Sequence, residues 1–218
     1  SSAPTNPLAK VQFSTGVLRG HEGAPLVVGD VMYLHTPFPN IVYALDLKDP
    51  DHKILWKYEP KQDPSVVPVM CCDTVNRGLA YGDGKIILAQ ADTTLVALDA
   101  KTGKQVWKAE GGTLALSFGT PVLAKGLDGV ENLLVGAPGE IWALNPKTGK
   151  LVWYAPLRGR GNISPSVVAG IVQGESLAFV TGGFESKGTT ALRGGGKVEP
   201  KGGRQAWEVG ASSYVPTP

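Results

Sequence analysis

Cys71 and Cys72 are the only cysteines in the chain, and neighbouring thiols have a narrow repertoire. A bond between them closes an eight-membered ring around a strained peptide, which is rare and needs an oxidising compartment. Otherwise the two thiols pack as small buried hydrophobes. Arg77, shortly downstream, offers a planar fork that suits carboxylates. Glu22 is a carboxylate able to pair with such a fork and stabilise an interior. Glu140 follows Gly139, where a lone turn carboxylate is ordinarily solvated, because a hard cation needs several oxygen ligands at once. His21, His35 and His52 have no ligand spacing to one another or to a cysteine, so no zinc site follows. His21 reads as a loop cap and His52 as part of a polar turn. No Ser-His-Asp set, phosphate loop or Gly-x-Gly-x-x-Gly before a helix is present.

The elements that must position these residues come from a repeat. Its clearest copies are Val96-Ala97-Leu98-Asp99-Ala100-Lys101-Thr102-Gly103-Lys104-Gln105-Val106-Trp107 and Ile141-Trp142-Ala143-Leu144-Asn145-Pro146-Lys147-Thr148-Gly149-Lys150-Leu151-Val152-Trp153. Val42-Tyr43-Ala44-Leu45-Asp46 leading to Leu55-Trp56 is an earlier copy. Thr190-Ala191-Leu192-Arg193, a Gly-rich insertion and Gln205-Ala206-Trp207 form a degenerate later one. Trp56, Trp107, Trp153 and Trp207 recur at roughly the 40–50-residue period of propeller blades. In each copy a strand ends in Ala-Leu-Asp or Asn, and a turn with Asx bonding and a glycine at positive φ reverses the chain. A second strand then carries the tryptophan. Alternation sets the small alanine beside the large indole, so that neighbouring sheets can interlock. Two earlier strands precede each copy. The expected architecture is therefore all-β: a β-propeller of four-stranded antiparallel blades, four of them present.

Bulk properties agree. A chain of 218 residues with 42% hydrophobic content has enough material for a real core. Its 29 glycines and 17 prolines favour many short strands over long helices. The net charge is +2, with lysines and arginines scattered, so neither nucleic acid nor an anionic membrane surface is implied. No apolar stretch approaches the ~20 residues that span a bilayer.

The expected organisation is an N-terminal extension over 1–10, then blades at approximately 11–60, 61–111, 112–157 and 158–210, with a further strand begun in 211–218. Val11-Gln12-Phe13-Ser14-Thr15-Gly16 reads as an outermost strand preceding the first blade, and Tyr214-Val215-Pro216 as an innermost strand of a fifth. A closed four-blade ring needs neither. The remainder fits an arc of a larger ring, completed by a second copy or a second chain, and a fragment or an engineered chain.

The repeat resembles that of pyrroloquinoline-quinone (PQQ) propeller proteins. Over about residues 13–110 the likeness narrows. Phe-Ser-Thr-Gly-Val-Leu-Arg-Gly-His-Glu-Gly-Ala-Pro-Leu at 13–26, His-Thr-Pro-Phe-Pro-Asn at 35–40 and Met-Cys-Cys-Asp-Thr-Val-Asn-Arg-Gly at 70–78 resemble the large subunit of PQQ-dependent methanol dehydrogenases. Lys-Tyr-Glu-Pro-Lys-Gln-Asp-Pro at 57–64 favours the lanthanide-using type. From about residue 111 onward the blades are similar to generic PQQ-like repeat proteins, as in a chimera or a divergent relative.

The resemblance implies half of an eight-bladed ring, a periplasmic location, PQQ as cofactor and a Ca²⁺ or lanthanide ion beside it. It implies that Cys71 and Cys72 form a disulfide ring lying against one face of the quinone, with Glu22 and Arg77 contacting the quinone itself. Glu140 falls near the family's metal-binding glutamate, but the Phe-Gly-Val-Arg-Gly-like insert that should follow is missing. In the parent reaction an alcohol loses hydride to the quinone, the metal polarises the quinone carbonyl and an aspartate takes the hydroxyl proton. That aspartate, the rest of the metal shell and the tryptophan over the quinone's other face correspond to blades beyond these. Two rival expectations remain: a non-catalytic scaffold like the outer-membrane assembly propeller lipoprotein, and an engineered propeller.

Overall fold

The turn inside each repeat explains the sheet built around it. The Asp99 carboxylate accepts from the backbone N–H of Lys101 (3.1 Å) and Thr102 (2.8 Å) and from the Thr102 hydroxyl (2.8 Å). The Thr102 hydroxyl and these amides hold its pKa below the usual carboxylate value. Gly103 then takes a φ of +69°, a conformation that suits a residue without Cβ. Asn145 repeats the bond with the Lys147 amide at 2.9 Å, ahead of Gly149 at +69°.

A computed structural model describes residues 20–70, 74–114, 117–126, 128–157, 161–182, 188–196 and 203–213. These residues form four sheets, each of four antiparallel strands paired in chain order. Blade 1 comprises β1 (Leu26–Val28), β2 (Val31–His35), β3 (Val42–Asp46) and β4 (Ile54–Tyr58). Blade 2 comprises β5 (Leu79–Gly82), β6 (Lys85–Ala89), β7 (Thr94–Asp99) and β8 (Gln105–Glu110). Blade 3 comprises β9 (Val122–Lys125), β10 (Glu131–Ala137), β11 (Glu140–Leu144) and β12 (Leu151–Pro156). Blade 4 comprises β13 (Val168–Val172), β14 (Glu175–Thr181), β15 (Thr189–Arg193) and β16 (Gln205–Val209). The segments 11–16 and 214–216, expected as extra strands, lie outside the described residues.

First strands of successive blades are neighbours. A Cβ on Gly82 of β5 would stand 2.2 Å from Leu123 Cδ1 of β9, and β9 in turn approaches β13. The strand order therefore runs from first strands on the inside to fourth strands on the outside. Because strands alternate in direction, the links between blades and the turns between second and third strands share one rim. The Asx turns occupy the opposite rim.

The blades are joined by their tryptophans. Register sets Ala44 opposite Trp56, Ala97 opposite Trp107, Ala143 opposite Trp153 and Ala191 opposite Trp207. The Trp56 ring lies on the Gly103 turn of blade 2, where a Cβ would be 2.6 Å from its Cε3. Its Nε1 donates to the Ala100 carbonyl at 3.0 Å, and the Tyr33 hydroxyl donates to the same oxygen at 3.0 Å. Trp107 lies on Gly149 of blade 3 and donates to Pro146 O at 2.9 Å. These indoles close the two apolar clusters shared by blades 1 with 2 and 2 with 3. Replacing such a buried tryptophan by alanine costs about 3–5 kcal/mol.

The third junction differs. The guanidinium of Arg204, supplied by the Gly-rich insertion, lies 4.0 Å from the Trp153 ring centroid. It donates to the carbonyls of Arg193 (3.3 Å), Gly195 (3.3 Å) and Gly196 (3.2 Å). Trp153 Nε1 is buried and has no hydrogen-bond partner among the described residues. Trp207 ends the series. It is 43% exposed, against 9%, 7% and 7% for Trp56, Trp107 and Trp153, and its ring meets Phe179 at 5.8 Å between centroids.

Candidate functional site

The rim that carries the interblade links also carries the residues singled out from the sequence. Glu22 precedes β1, Arg77 precedes β5 and Glu140 opens β11 at the β10–β11 turn. Cys71 and Cys72 belong to the link between β4 and β5 and lie outside the described residues.

The fold brings Glu22 and Arg77 together. Glu22 Oε2 stands 3.7 Å from Arg77 Nη2, with the side chains 49% and 24% exposed. That separation exceeds direct hydrogen-bond distance, and a pair this open stabilises the fold by at most about 1 kcal/mol. Stability alone is a weak reason for it.

The loop that carries Arg77 is tightly held. Asn76 donates from Nδ2 to the Ala89 carbonyl (2.6 Å), and its Oδ1 accepts the Gly78 amide (3.2 Å). The Thr74 carbonyl accepts the Phe38 amide at 2.9 Å, stitching the loop to blade 1. His35, at the end of β2, is buried, and its Nε2 lies 3.0 Å from the Asn76 carbonyl. A carbonyl only accepts, so Nε2 carries the proton. Burial pulls His35 below the usual imidazole pKa, partly countered by this bond, while His21 adds a further downward push. Gly23 sits against the same ring: a Cβ there would be 2.0 Å from His35 Cε1.

Asn76 also stands in the wall of a cavity of about 350 Å³, with Val66, Met70, Val75, Leu114 and Phe118. This volume and its apolar lining suit a ring-sized organic ligand. Val66 and Met70 come from a 3₁₀ turn, Pro64–Val69, and its C-cap. Asp63 caps that turn by accepting the Ser65 amide at 2.9 Å. The Asp63-Pro64-Ser65 sequence is a start signal, with a side-chain cap followed by proline at the first position, and could have revealed the element. Across the rim, Asn40 Oδ1 accepts the Ala91 amide (2.9 Å) and Gln62 Nε2 (3.0 Å). Gln62 Oε1 accepts the Asp92 amide at 3.1 Å, so blade 1 and blade 2 are bonded side by side beneath the cavity. Nothing in the spacing of His35, Asn40, Gln62 or Asn76 announces these roles.

Glu140 is not brought to the Glu22–Arg77 pair. It lies on the third strand of its blade, and its Oε2 accepts from Trp142 Nε1 at 2.7 Å. It is half-buried and engaged, rather than a solvated turn carboxylate. Among the described residues, no group of three or more His, Cys, Asp or Glu side chains could hold a metal ion. A hard cation takes about 6–8 oxygens, so the described donor set does not fit one. The apolar cavity is lined by Asn76 and Gly78, the two chain neighbours of Arg77, while the Arg77 and Glu22 side chains are not part of its wall.

His52 behaves as its polar setting implied, with Nδ1 3.3 Å from the Asp46 carbonyl and a φ of +50°. No helix among the described residues is long and apolar enough to cross a membrane.

Blades interlocked by tryptophan, with chemistry gathered on one rim, define a β-propeller of the quinoprotein type. The chain belongs to the PQQ family, the glucose/ethanol/alcohol dehydrogenase β-propeller domain, whose model matches residues 6–131. A second model, outer membrane protein assembly factor BamB, matches residues 115–216. The chain is 61% identical over 146 residues to a lanthanide-dependent methanol dehydrogenase of Methylorubrum extorquens, an alignment that covers 65% of this chain and 24% of that protein. A solved europium-containing methanol dehydrogenase superposes on 94% of the chain and 43% of its own length, at a TM-score of 0.69 and 30% identity. BamB from Moraxella catarrhalis shares the fold, with a TM-score of 0.62 at 18% identity over 93% of this chain and 53% of that one. The chain thus spans about a quarter of the length of the curated relative it matches.

Proposed function

We propose that these blades form the quinone-holding part of a PQQ-dependent alcohol dehydrogenase of the methanol type. The observation that carries the reading is the meeting of Glu22 and Arg77, 3.7 Å apart, from the segments that lead into the first strands of two different blades. Arg77 would bind a quinone carboxylate through its fork, worth about 1.5–3 kcal/mol for a charge-assisted bond. Glu22 would orient that fork, and the apolar cavity wall would receive the planar ring. Once bound, the quinone would supply a two-electron acceptor for hydride from an alcohol. The vicinal Cys71–Cys72 pair would lie against the ring as a disulfide, which would need an oxidising compartment such as the periplasm.

A Ca²⁺ or lanthanide ion beside the quinone would need ligands from beyond these residues, because Glu140 is already engaged by Trp142. Further blades, from the same protein or a second copy, would supply them and cover the exposed Trp207 face. A second reading draws on the match of residues 115–216 to the BamB model: blades 3 and 4 would serve a binding scaffold without quinone chemistry.

Titration of the full chain with PQQ, followed by quinone absorbance, separates the two. Saturable binding that weakens about tenfold or more in Arg77→Ala supports the quinone reading. A spectrum unchanged up to millimolar protein would sink it in favour of the scaffold.

A further inference from the structure

His35 is absorbed by neither the fold's repeat nor the proposed quinone contacts, yet it touches the backbone of both halves of the candidate site. We infer that His35 is the positioning residue of the Glu22–Arg77 pair. The inference rests on the quinone reading and names what sets that site's geometry.

Two contacts carry it. The His35 ring is wedged against Gly23, the residue after Glu22, where any Cβ would stand 2.0 Å from Cε1 and 2.3 Å from Nε2. The same Nε2 donates to the carbonyl of Asn76, the residue before Arg77, at 3.0 Å. One rigid ring therefore touches both the backbone that bears the carboxylate and the backbone that bears the guanidinium, and holds them to a common reference. The ring cannot drift, because it is buried and grows from β2, which pairs with β3 through His35 opposite Val42. Glycine at 23 is required for this contact and not for φ, since its backbone is not in the left-handed region. The titratable group that acts on the ring is His21 on the segment before β1, and Glu22 and Arg77 are the chain neighbours of the two residues it touches, Gly23 and Asn76. With two cations or potential cations among them, a neutral imidazole is the form that suits the site. A donor on a short, stiff side chain is what the position needs, and not a charge.

The test separates positioning from general stability. PQQ affinity and thermal unfolding are measured in the full chain for wild type, His35→Leu, His35→Gln, Gly23→Ala and Arg77→Ala. Leucine fills much of the space without a donor, whereas glutamine restores an N–H at similar reach. The expected result is that His35→Leu and Gly23→Ala weaken PQQ binding about tenfold, the loss of one hydrogen bond to a placed group; His35→Leu melts within a few degrees of wild type, whereas Gly23→Ala also melts lower because its Cβ overpacks the buried ring. His35→Gln stays within about threefold of wild type. In an Arg77→Ala background, His35→Leu has no further effect, because both act on one interaction. Unchanged affinity in His35→Leu, no rescue by glutamine, or a full additive loss on top of Arg77→Ala would overturn the inference while leaving the quinone reading intact. Failure of wild type to bind PQQ, by contrast, removes both. Should His35→Leu fail to fold, Gly23→Ala and His35→Gln still decide the matter.

Discussion

The junction between blades 1 and 2 and the junction between blades 3 and 4 solve one problem with different chemistry. At the first, Trp56 lies flat on the bare Gly103 turn and donates to Ala100 O. At the last, the equivalently placed Gly203 has open space around it, and the Trp153 ring is met by the Arg204 guanidinium. The regular junction depends on an absence of side chain. The divergent one replaces a hydrogen bond by a cation over a π face, worth about 0.5–2 kcal/mol, and leaves the indole N–H without an acceptor among the described residues. A blade repeat can therefore lose its turn sequence and keep its packing, provided that something flat covers the indole. Such a change coincides with the region that matches the second family model.

The sharpest way to break this comparison is at the two glycines. Gly103→Ala meets both a φ of +69° and the Trp56 ring at 2.6 Å. It is expected to cost about 2–5 kcal/mol, from left-handed strain and overpacking together. Gly203→Ala meets only a φ of +81° with nothing within 4 Å, so about 1–2 kcal/mol is expected. Denaturant unfolding of the two variants gives the difference directly. Equal losses would mean that the Trp56 ring does not bear on the turn.

A smaller effect separates the indole N–H groups. Trp107→Phe removes the 2.9 Å bond to Pro146 O and leaves that carbonyl to find water, whereas Trp153→Phe removes a donor with no partner among the described residues. The loss of ring volume is common to both. Trp107→Phe should therefore be worse by about 1 kcal/mol. If Trp153→Phe proves the costlier, the missing acceptor is not missing in solution.

The smallest effect lies in the acid limb of stability. Asp99 has a depressed pKa through its Thr102 and Lys101 bonds, whereas Asn145 at the matching position carries no charge. A depressed carboxylate pKa contributes stability above its unfolded value, near pH 4, and the contribution disappears as pH falls through the folded value. Asp99→Asn should flatten this limb of the stability–pH curve and leave neutral-pH stability almost unchanged. An unaltered limb would show that the Asx turn does not depend on ionisation.

Much of the fold was legible because its determinants are local. The Asp/Asn-x-Lys-Thr-Gly turn encodes its own reversal, and strand alternation sets each alanine against its tryptophan. The short 3₁₀ turn at Pro64–Val69 lies outside the strand pattern, and only the Asp63-Pro64 start signal marks it. At the candidate site, residue type and resemblance pointed to Glu22 and Arg77, but their proximity depends on how two blades stack. His35 stands in a motif of the resemblance at 35–40, but its role does not show there, since its partners are a glycine with no side chain and a backbone carbonyl.

The sequence by itself determined the blade: four strands, their register and the indole that must be covered. These follow from turn chemistry and from the two-residue period of a strand, and each is fixed within some tens of residues. Only the tertiary structure decided that the ring of His35 touches both Gly23 and Asn76, that Trp142 takes the Glu140 carboxylate and that Arg204 rather than a glycine turn covers Trp153. The physical reason is the same in each case. These are contacts of shape and of hydrogen-bond direction between chain segments, and no periodicity records which carbonyl or which face a side chain will find.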